Sequence, residues 1–190
     1  MSRPDADPLD AGPDTAGRWH VRPAEPGGPD LDLVVRWMAE PHIEQFWRQG
    51  WNADRWAQEI TQQRAGDHSL PCLAFYDRTP VAYLEVYRVI RDRLAEYYPY
   101  DSADLGVHVA IGERGSTGRG WGRALLRAVT DGIFDVSPPC RRVVAEPDAR
   151  NWPSLRAFAA AGFVPCGQLV LPEKTAVLMV RPRTERDLPS

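Results

Sequence analysis

The segment that most restricts how this chain can fold is residues 103–135, where ADLGVHVAI is followed by ERGSTGRGWGRALLRAV and then DGIFD. In the first run Val107, Val109 and Ile111 alternate with His108 and Ala110, the period-two pattern of a strand with one apolar face and a histidine on the other. In the last, Leu125, Leu126, Val129 and Ile133 recur at helical spacing. Between them stand Gly118, Gly120 and Gly122. The strand RRVVAEP and a helix over 153–161, stopped by Gly162, come next, giving the order β-α-β-α.

The flanking sequence fills out a mixed sheet with helices on its faces, an α/β (α+β) class. HVRPAE reads as a first strand. After the GGPD turn, Leu31, Val34, Val35 and Met38 mark an amphipathic helix with Asp30 as its expected N-cap. Asn52 is placed to cap a second helix running to about residue 64, with Trp56 and Ile60 on one face. Two helices are therefore expected before the main sheet. PCLAFYD and VAYLEVY, joined by Arg78, Thr79 and Pro80, form a hairpin pattern, and two last strands lie near 163–170 and 175–180.

The 190 residues, 43% of them hydrophobic, suit one core and one site. Residues 1–17 are rich in Pro, Asp and Gly and are expected to be a disordered tail, residues 18–183 the domain, and residues 184–190 a flexible tail. A net charge of −3 offers no general attraction to nucleic acid or an anionic membrane. With neither an apolar run of the roughly 20 residues a span needs nor a basic-then-apolar leader, a soluble cytoplasmic protein is expected. Cys72, Cys140 and Cys166 are far apart and read as packed thiols, and His20, His42, His68 and His108 are equally scattered, so no metal site is expected.

Glycines that open a helix directly after a strand let backbone N–H groups approach a pyrophosphate, which the helix dipole favours. A Walker loop would need Gly-Lys-Ser/Thr where this chain has Gly122-Arg123-Ala124, and the G-x-G-x-x-G dinucleotide order is missing. The segment resembles the acyl-CoA loop of the GNAT superfamily, Gln/Arg-x-x-Gly-x-Gly/Ala. Thr117 stands at the first position, followed by Gly118, Arg119, Gly120, Trp121 and Gly122. A second similarity lies in EPDARNWPSLRAFAAAGF, where Asn151 precedes a helix. The resemblance implies a largely antiparallel mixed sheet whose central strands splay around an acyl-CoA thioester, the donor being acetyl-CoA or longer. It implies backbone contacts from the glycine loop, charge from Arg119 and Arg123, carbonyl polarisation by N–H groups at Val109 and Ala110, and Asn151 facing the pantetheine arm. Asn151 is equally suited to capping its helix.

PHIEQFW and YLEVYRVIRDRLAEYYPYDSADLGVHVAI resemble the siderophore-biosynthetic GNAT branch, which acylates N-hydroxylysine or related N-hydroxy diamines. That resemblance implies His108 and Asp148 as a catalytic pair and His42, Trp47, Glu85 and Tyr87 on the acceptor side. Acyl transfer needs an uncharged nitrogen and a group to take its proton, for which a neutral imidazole at His108 is suited. Asp148 would orient that ring or stabilise its charged form, or else cap a turn. N-hydroxylysine, N-hydroxyornithine and N-hydroxycadaverine all fit the pattern. Two alternatives stand beside it: an aminoglycoside 6′-N-acetyltransferase and a non-catalytic acyl-CoA-binding module.

Overall fold

The computed structural model describes residues 9, 12, 13, 15, 17–112 and 120–189. In chain order the elements are β1 (Trp19–Pro23), α1 (Gly28–Met38), α2 (Pro41–Trp47), α3 (Ala53–Ala65), β2 (Ser69–Tyr76), β3 (Thr79–Arg88) and β4 (Leu105–Ile111). They continue as α4 (Trp121–Val136), β5 (Arg142–Ala145), α5 (Trp152–Ala160), β6 (Val164–Val170) and β7 (Thr175–Pro182). Seven strands form one sheet in the order β1-β2-β3-β4-β5-β7-β6. Every neighbouring pair is antiparallel except β4 with β5.

Strand alternation sends the two faces of the sheet to different helices. Leu70, Cys72 and Ala74 of β2, Leu84 and Val86 of β3 and Val107 of β4 pack with Leu125, Leu126, Val129 and Ile133 of α4 and Phe158 of α5. On the opposite face Leu73, Tyr83 and Ala110 pack with Val34, Trp37 and Met38 of α1, Ile43 of α2, and Trp56 and Ile60 of α3. His108 belongs to this second face. Asn52 caps α3 as its sequence suggests, accepting from Arg55 N at 3.0 Å.

The parallel pair β4–β5 is short. Leu105 faces Val143 and Gly106 faces Val144, and past these two pairs the strands part. At their joined end sits a buried ion pair. Arg142 Nε donates to Asp104 Oδ1 at 2.9 Å, Arg142 NH2 lies 2.7 Å from Oδ2, and that oxygen also accepts from the Tyr98 hydroxyl and Asp101 N. A buried carboxylate met by this many donors is adequately compensated. The clamp fixes where the two strands begin, and so where they separate.

Three local expectations are corrected. The PHIEQFW segment forms α2, a third helix before β2, with Pro41 at its first turn. Asp30 does not cap α1: Gly27 holds that position, and the Asp30 carboxylate inside the first turn accepts from Arg22 and from Glu25 N. The hairpin turn is Asp77-Arg78, both at positive φ (46° and 68°), which leaves Thr79 and Pro80 in β3. The presumed tails make contacts too. Leu9 packs against the α4-side core and Thr15 donates to Trp19 O. Beyond residue 183, Thr184 and Asp187 form a capping box over a single 3-10 turn, and Leu188 packs beside the β5–β7 core.

Replacing Asp104 by Ala would leave the buried Arg142 guanidinium uncompensated. The expected loss is about 3–5 kcal/mol of folding stability, seen as a lower denaturant midpoint.

Candidate active site

Where β4 and β5 separate, a cleft of about 260 Å³ opens, lined on one side by Phe46, Trp47 and Gln49 and on the other by Asn151, Ser154 and Phe158. Val107, His108 and Val109 of β4 face Ala145 and Glu146 across it, and Glu173 and Lys174, from the turn between β6 and β7, close one end. The opening thus reaches the α2–α3 layer on one face of the sheet and α5 on the other.

Its chemistry centres on His108. Antiparallel register sets Glu85 of β3 directly opposite His108, and its Oε2 lies 3.1 Å from Nδ1. On the other side, two residues beyond Gly106 and Val144, His108 and Glu146 stand where the next strand pair would have formed. Their side chains meet instead, Nε2 to Oε1 at 2.9 Å. Each carboxylate is itself held. Glu85 Oε1 accepts from the Tyr83 hydroxyl at 2.9 Å and Gln63 Nε2 at 3.1 Å. Glu146 Oε2 accepts from the Tyr87 hydroxyl at 2.9 Å, and Lys174 Nζ lies 3.3 Å from Oε1.

Tyr87 reaches Glu146 because Gly106 has no side chain: a Cβ there would fall 2.0 Å from the Tyr87 ring. The same ring stacks on His108 with centroids 4.6 Å apart, and Trp47 meets the imidazole edge-on at 5.9 Å.

Ionised carboxylates only accept hydrogen bonds, so an imidazole held between two of them carries hydrogen on both nitrogens. Burial, the largest influence, opposes that charge, but the attraction of Glu146 and the bonds to Glu146 and Glu85 outweigh it and push His108 up to about 10. Burial likewise works against charge on the two glutamates. The charge and hydrogen bonds of His108 overcome it and hold both carboxyls below their ordinary value, Glu146 the more strongly. Burial, and then the adjacent Glu146, keep the Tyr87 phenol protonated. The neutral base expected at His108 therefore gives way, in the resting cleft, to an imidazolium with both N–H groups in use.

A model of the acetyltransferase (GNAT) domain matches residues 28–171. The chain belongs to the GNAT family. It is 32% identical over 169 residues to the lysine N-acyltransferase MbtK of Mycobacterium sp. (strain MCS), covering 89% of this chain and 69% of that protein. It is 36% identical over 149 residues to the N-hydroxyputrescine acetyltransferase of Acinetobacter baumannii, covering 78% and 71%. It is 27% identical over 154 residues to an Escherichia coli N(6)-hydroxylysine O-acetyltransferase, covering 81% of this chain and 49% of that one. Among solved structures, an uncharacterized Bacillus halodurans protein superposes with a TM-score of 0.84 at 28% identity, covering 93% and 92%. The aminoglycoside acetyltransferase AAC(6')-Ib superposes at 0.79, covering 88% and 94%; at 22% identity that likeness concerns the fold.

As a GNAT acyltransferase the chain carries the expected residues in unequal places. Trp47, Glu85, His108, Val109 and Asn151 line the cleft, and Tyr87 stacks beneath His108. Ala110 is buried against the α1–α3 layer. His42 is not part of the cleft lining; its Nε2 lies 3.1 Å from Ile111 O and ties α2 to the end of β4. Asp148 lines the mouth, but its carboxylate is bound by Arg150 through N, Nε and NH2, which lowers its pKa. The hydrogen-bond partners of His108 are Glu85 and Glu146, and the Asp148 carboxylate is turned to Arg150. Asp148 also accepts Asn151 N through its own carbonyl, shaping the turn into α5. Asn151 caps that helix, accepting from Ser154 N at 3.2 Å.

Gly118 and Arg119, with Thr117, lie outside the described residues. Gly120 sits at the N-cap of α4 with φ 80°, Gly122 is packed so closely that a Cβ would come 3.3 Å from that of Ala157 in α5, and Arg123 is exposed. Among the described residues, no group of three or more His, Cys, Asp or Glu is placed to hold a metal, and no helix is long and apolar enough to cross a membrane.

The raised pKa of His108 contributes stability that is complete below its ordinary value of 6.5 and is lost as pH rises through about 10. The depressed carboxyls contribute stability present above 4.5 and lost as pH falls through their lowered values. Thermal midpoints should therefore peak between these limits. An NMR titration should find His108 protonated well above neutrality in the wild type, and Glu146→Gln should shift its midpoint downwards.

Proposed function

We propose that this GNAT enzyme transfers an acyl group from acyl-CoA to the terminal nitrogen, hydroxylamine or amine, of N-hydroxylysine or a related diamine, in hydroxamate siderophore biosynthesis. The observation that carries this reading is the agreement among the named relatives, whose acceptors are lysine, N(6)-hydroxylysine and N-hydroxyputrescine. All three present a nitrogen at the end of a flexible aliphatic chain. A cleft walled by Trp47 and Phe46 on one face and open towards α5 on the other suits such a chain meeting a thioester in the gap between strands.

On this reading acyl-CoA supplies the activated thioester, entering along α5 and the start of α4, where Gly118, Arg119, Gly120, Gly122, Arg123 and Asn151 would hold it. The solved AAC(6')-Ib structure, which shares the fold, is a complex with acetyl-CoA. N–H groups at Val109 and Ala110 would polarise the carbonyl. The acceptor nitrogen attacks, CoA leaves as the thiol, and the nitrogen's proton passes to the Glu85–His108–Glu146 group. For His108 to receive it, the imidazolium must first lose its own proton to solvent. A base of this kind works on the alkaline side, so kcat/KM should climb with pH well past 6.5. Asp148 acts through the turn that sets Asn151.

The test is an acceptor matrix with acetyl-CoA, following thiol release. N-hydroxylysine should exceed kanamycin in kcat/KM by at least roughly a hundredfold, the discrimination that a shaped pocket affords. A preference for kanamycin would identify an aminoglycoside acetyltransferase instead. Thiol release with none of the acceptors, despite CoA binding, would leave a binding module.

A further inference from the structure

The charges of the cleft are unevenly exposed. The two glutamates are largely covered, with Glu85 12% and Glu146 8% exposed, whereas His108 is 32% and Lys174 20% exposed. Within this linked group the cations are the more exposed; Glu173, 35% exposed, also lines the cleft but is engaged by Arg93. His108 has no N–H to spare, since both are given to carboxylates. Lys174 does. Its ammonium has three donors, and its hydrogen bond among the described residues, 3.3 Å to Glu146 Oε1, is long and falls on an oxygen that His108 already holds at 2.9 Å.

The turn that carries Lys174 is fixed on both sides. Leu171 N donates to Lys174 O at 2.9 Å, closing the turn, and the neighbouring Glu173 takes the Arg93 guanidinium in a two-pronged ion pair, with Arg93 NH1 at 2.7 Å from Oε2 and NH2 on Oε1. Arg93 thereby spends its charge on holding the turn. Lys174 is left aimed into the cleft with donors in hand.

We infer that Lys174 binds a carboxylate of the acceptor, so that the enzyme selects an amino-acid acceptor, of the lysine or N-hydroxylysine type, over the corresponding bare diamine. This inference rests on the acyl-transfer reading above and names the substrate class within it. The resting cluster of Glu85, His108, Glu146 and Lys174 is electrically neutral. With its reacting nitrogen uncharged, the amino acid enters as a zwitterion and adds no net charge, while a diamine brings an extra cation beside His108 and Lys174. Arg93 and Glu173 act as a positioning pair.

The test compares N-hydroxylysine with N-hydroxycadaverine, which differ by the carboxylate alone, and runs lysine against cadaverine as a second pair. Wild-type enzyme should favour the carboxylate-bearing member by roughly tenfold or more in kcat/KM, the scale of one charge-assisted hydrogen bond. In Lys174→Met that ratio should collapse towards one, chiefly through a higher KM for the amino acid, and Lys174→Arg should restore most of it. Arg93→Gln should weaken the ratio with Lys174 intact. A wild-type enzyme indifferent to the carboxylate, or a preference that survives in folded Lys174→Met, overturns the proposal.

Acetyl-CoA and succinyl-CoA form the donor arm. If Lys174→Met alters the succinyl to acetyl ratio and leaves the acceptor ratio in place, the carboxylate belongs to the donor and the proposal fails. If only the amines react and the lysine preference depends on Lys174, the carboxylate site stands while the hydroxylamine reading falls.

Discussion

Everything at this site depends on two strands that pair for only two residues. A parallel ladder that continued past Gly106 and Val144 would fill the space the cleft occupies and would satisfy its backbone with hydrogen bonds. The Asp104–Arg142 pair, buried at the joined end, holds the strands together just before they diverge. Where the backbone ladder stops, the His108–Glu146 contact takes over as a side-chain bridge across the gap. A cleft that must admit a substrate between strands is thereby kept from closing and from falling apart by two ion pairs, one on each side of the branching point.

The elements of the fold were legible because their signals are local. Alternation in LGVHVAI, helical spacing in WGRALLRAV and the cap at Asn52 each lie within a dozen residues. Alternation in YLEVY also put Glu85 and Tyr87 on one face, and register with β4 did the rest. The short helix α2 escaped because seven residues, the first a proline, offer barely two turns of periodicity. At Asp30 and at the β2–β3 turn the residue types were right for a cap and a turn, but the backbone placed them one to three positions away from the expected role.

Glu146 and Lys174 were not singled out, for a physical reason. Their contacts join residues 38 and 28 positions apart, brought together by the crossover that sets β5 beside β4 and by the pairing of β7 with β5. One signal was present: a carboxylate directly after the apolar run Val143, Val144 and Ala145, in a fold expected to splay that strand against the one carrying His108. Asp148 lies just two residues beyond Glu146, but its carboxylate is bound by Arg150. The two carboxylates on either side of His108, which raise its pKa, come from other strands and were not legible along its own strand.

Gly106 links two properties that are usually separable. It is the last residue of β4 to pair with β5, and the seat on which the Tyr87 ring lies as it reaches Glu146. Any side chain there would lift the ring, removing at once a donor from Glu146 and the stacking surface beneath His108. The position cannot drift alone: a larger residue becomes tolerable only if Tyr87 shrinks, and a smaller residue at 87 forfeits the hydroxyl. Variation in this cleft is thus channelled away from its floor, towards the walls at Phe46 and Trp47, where substitutions leave the hydrogen bonds of the central histidine intact.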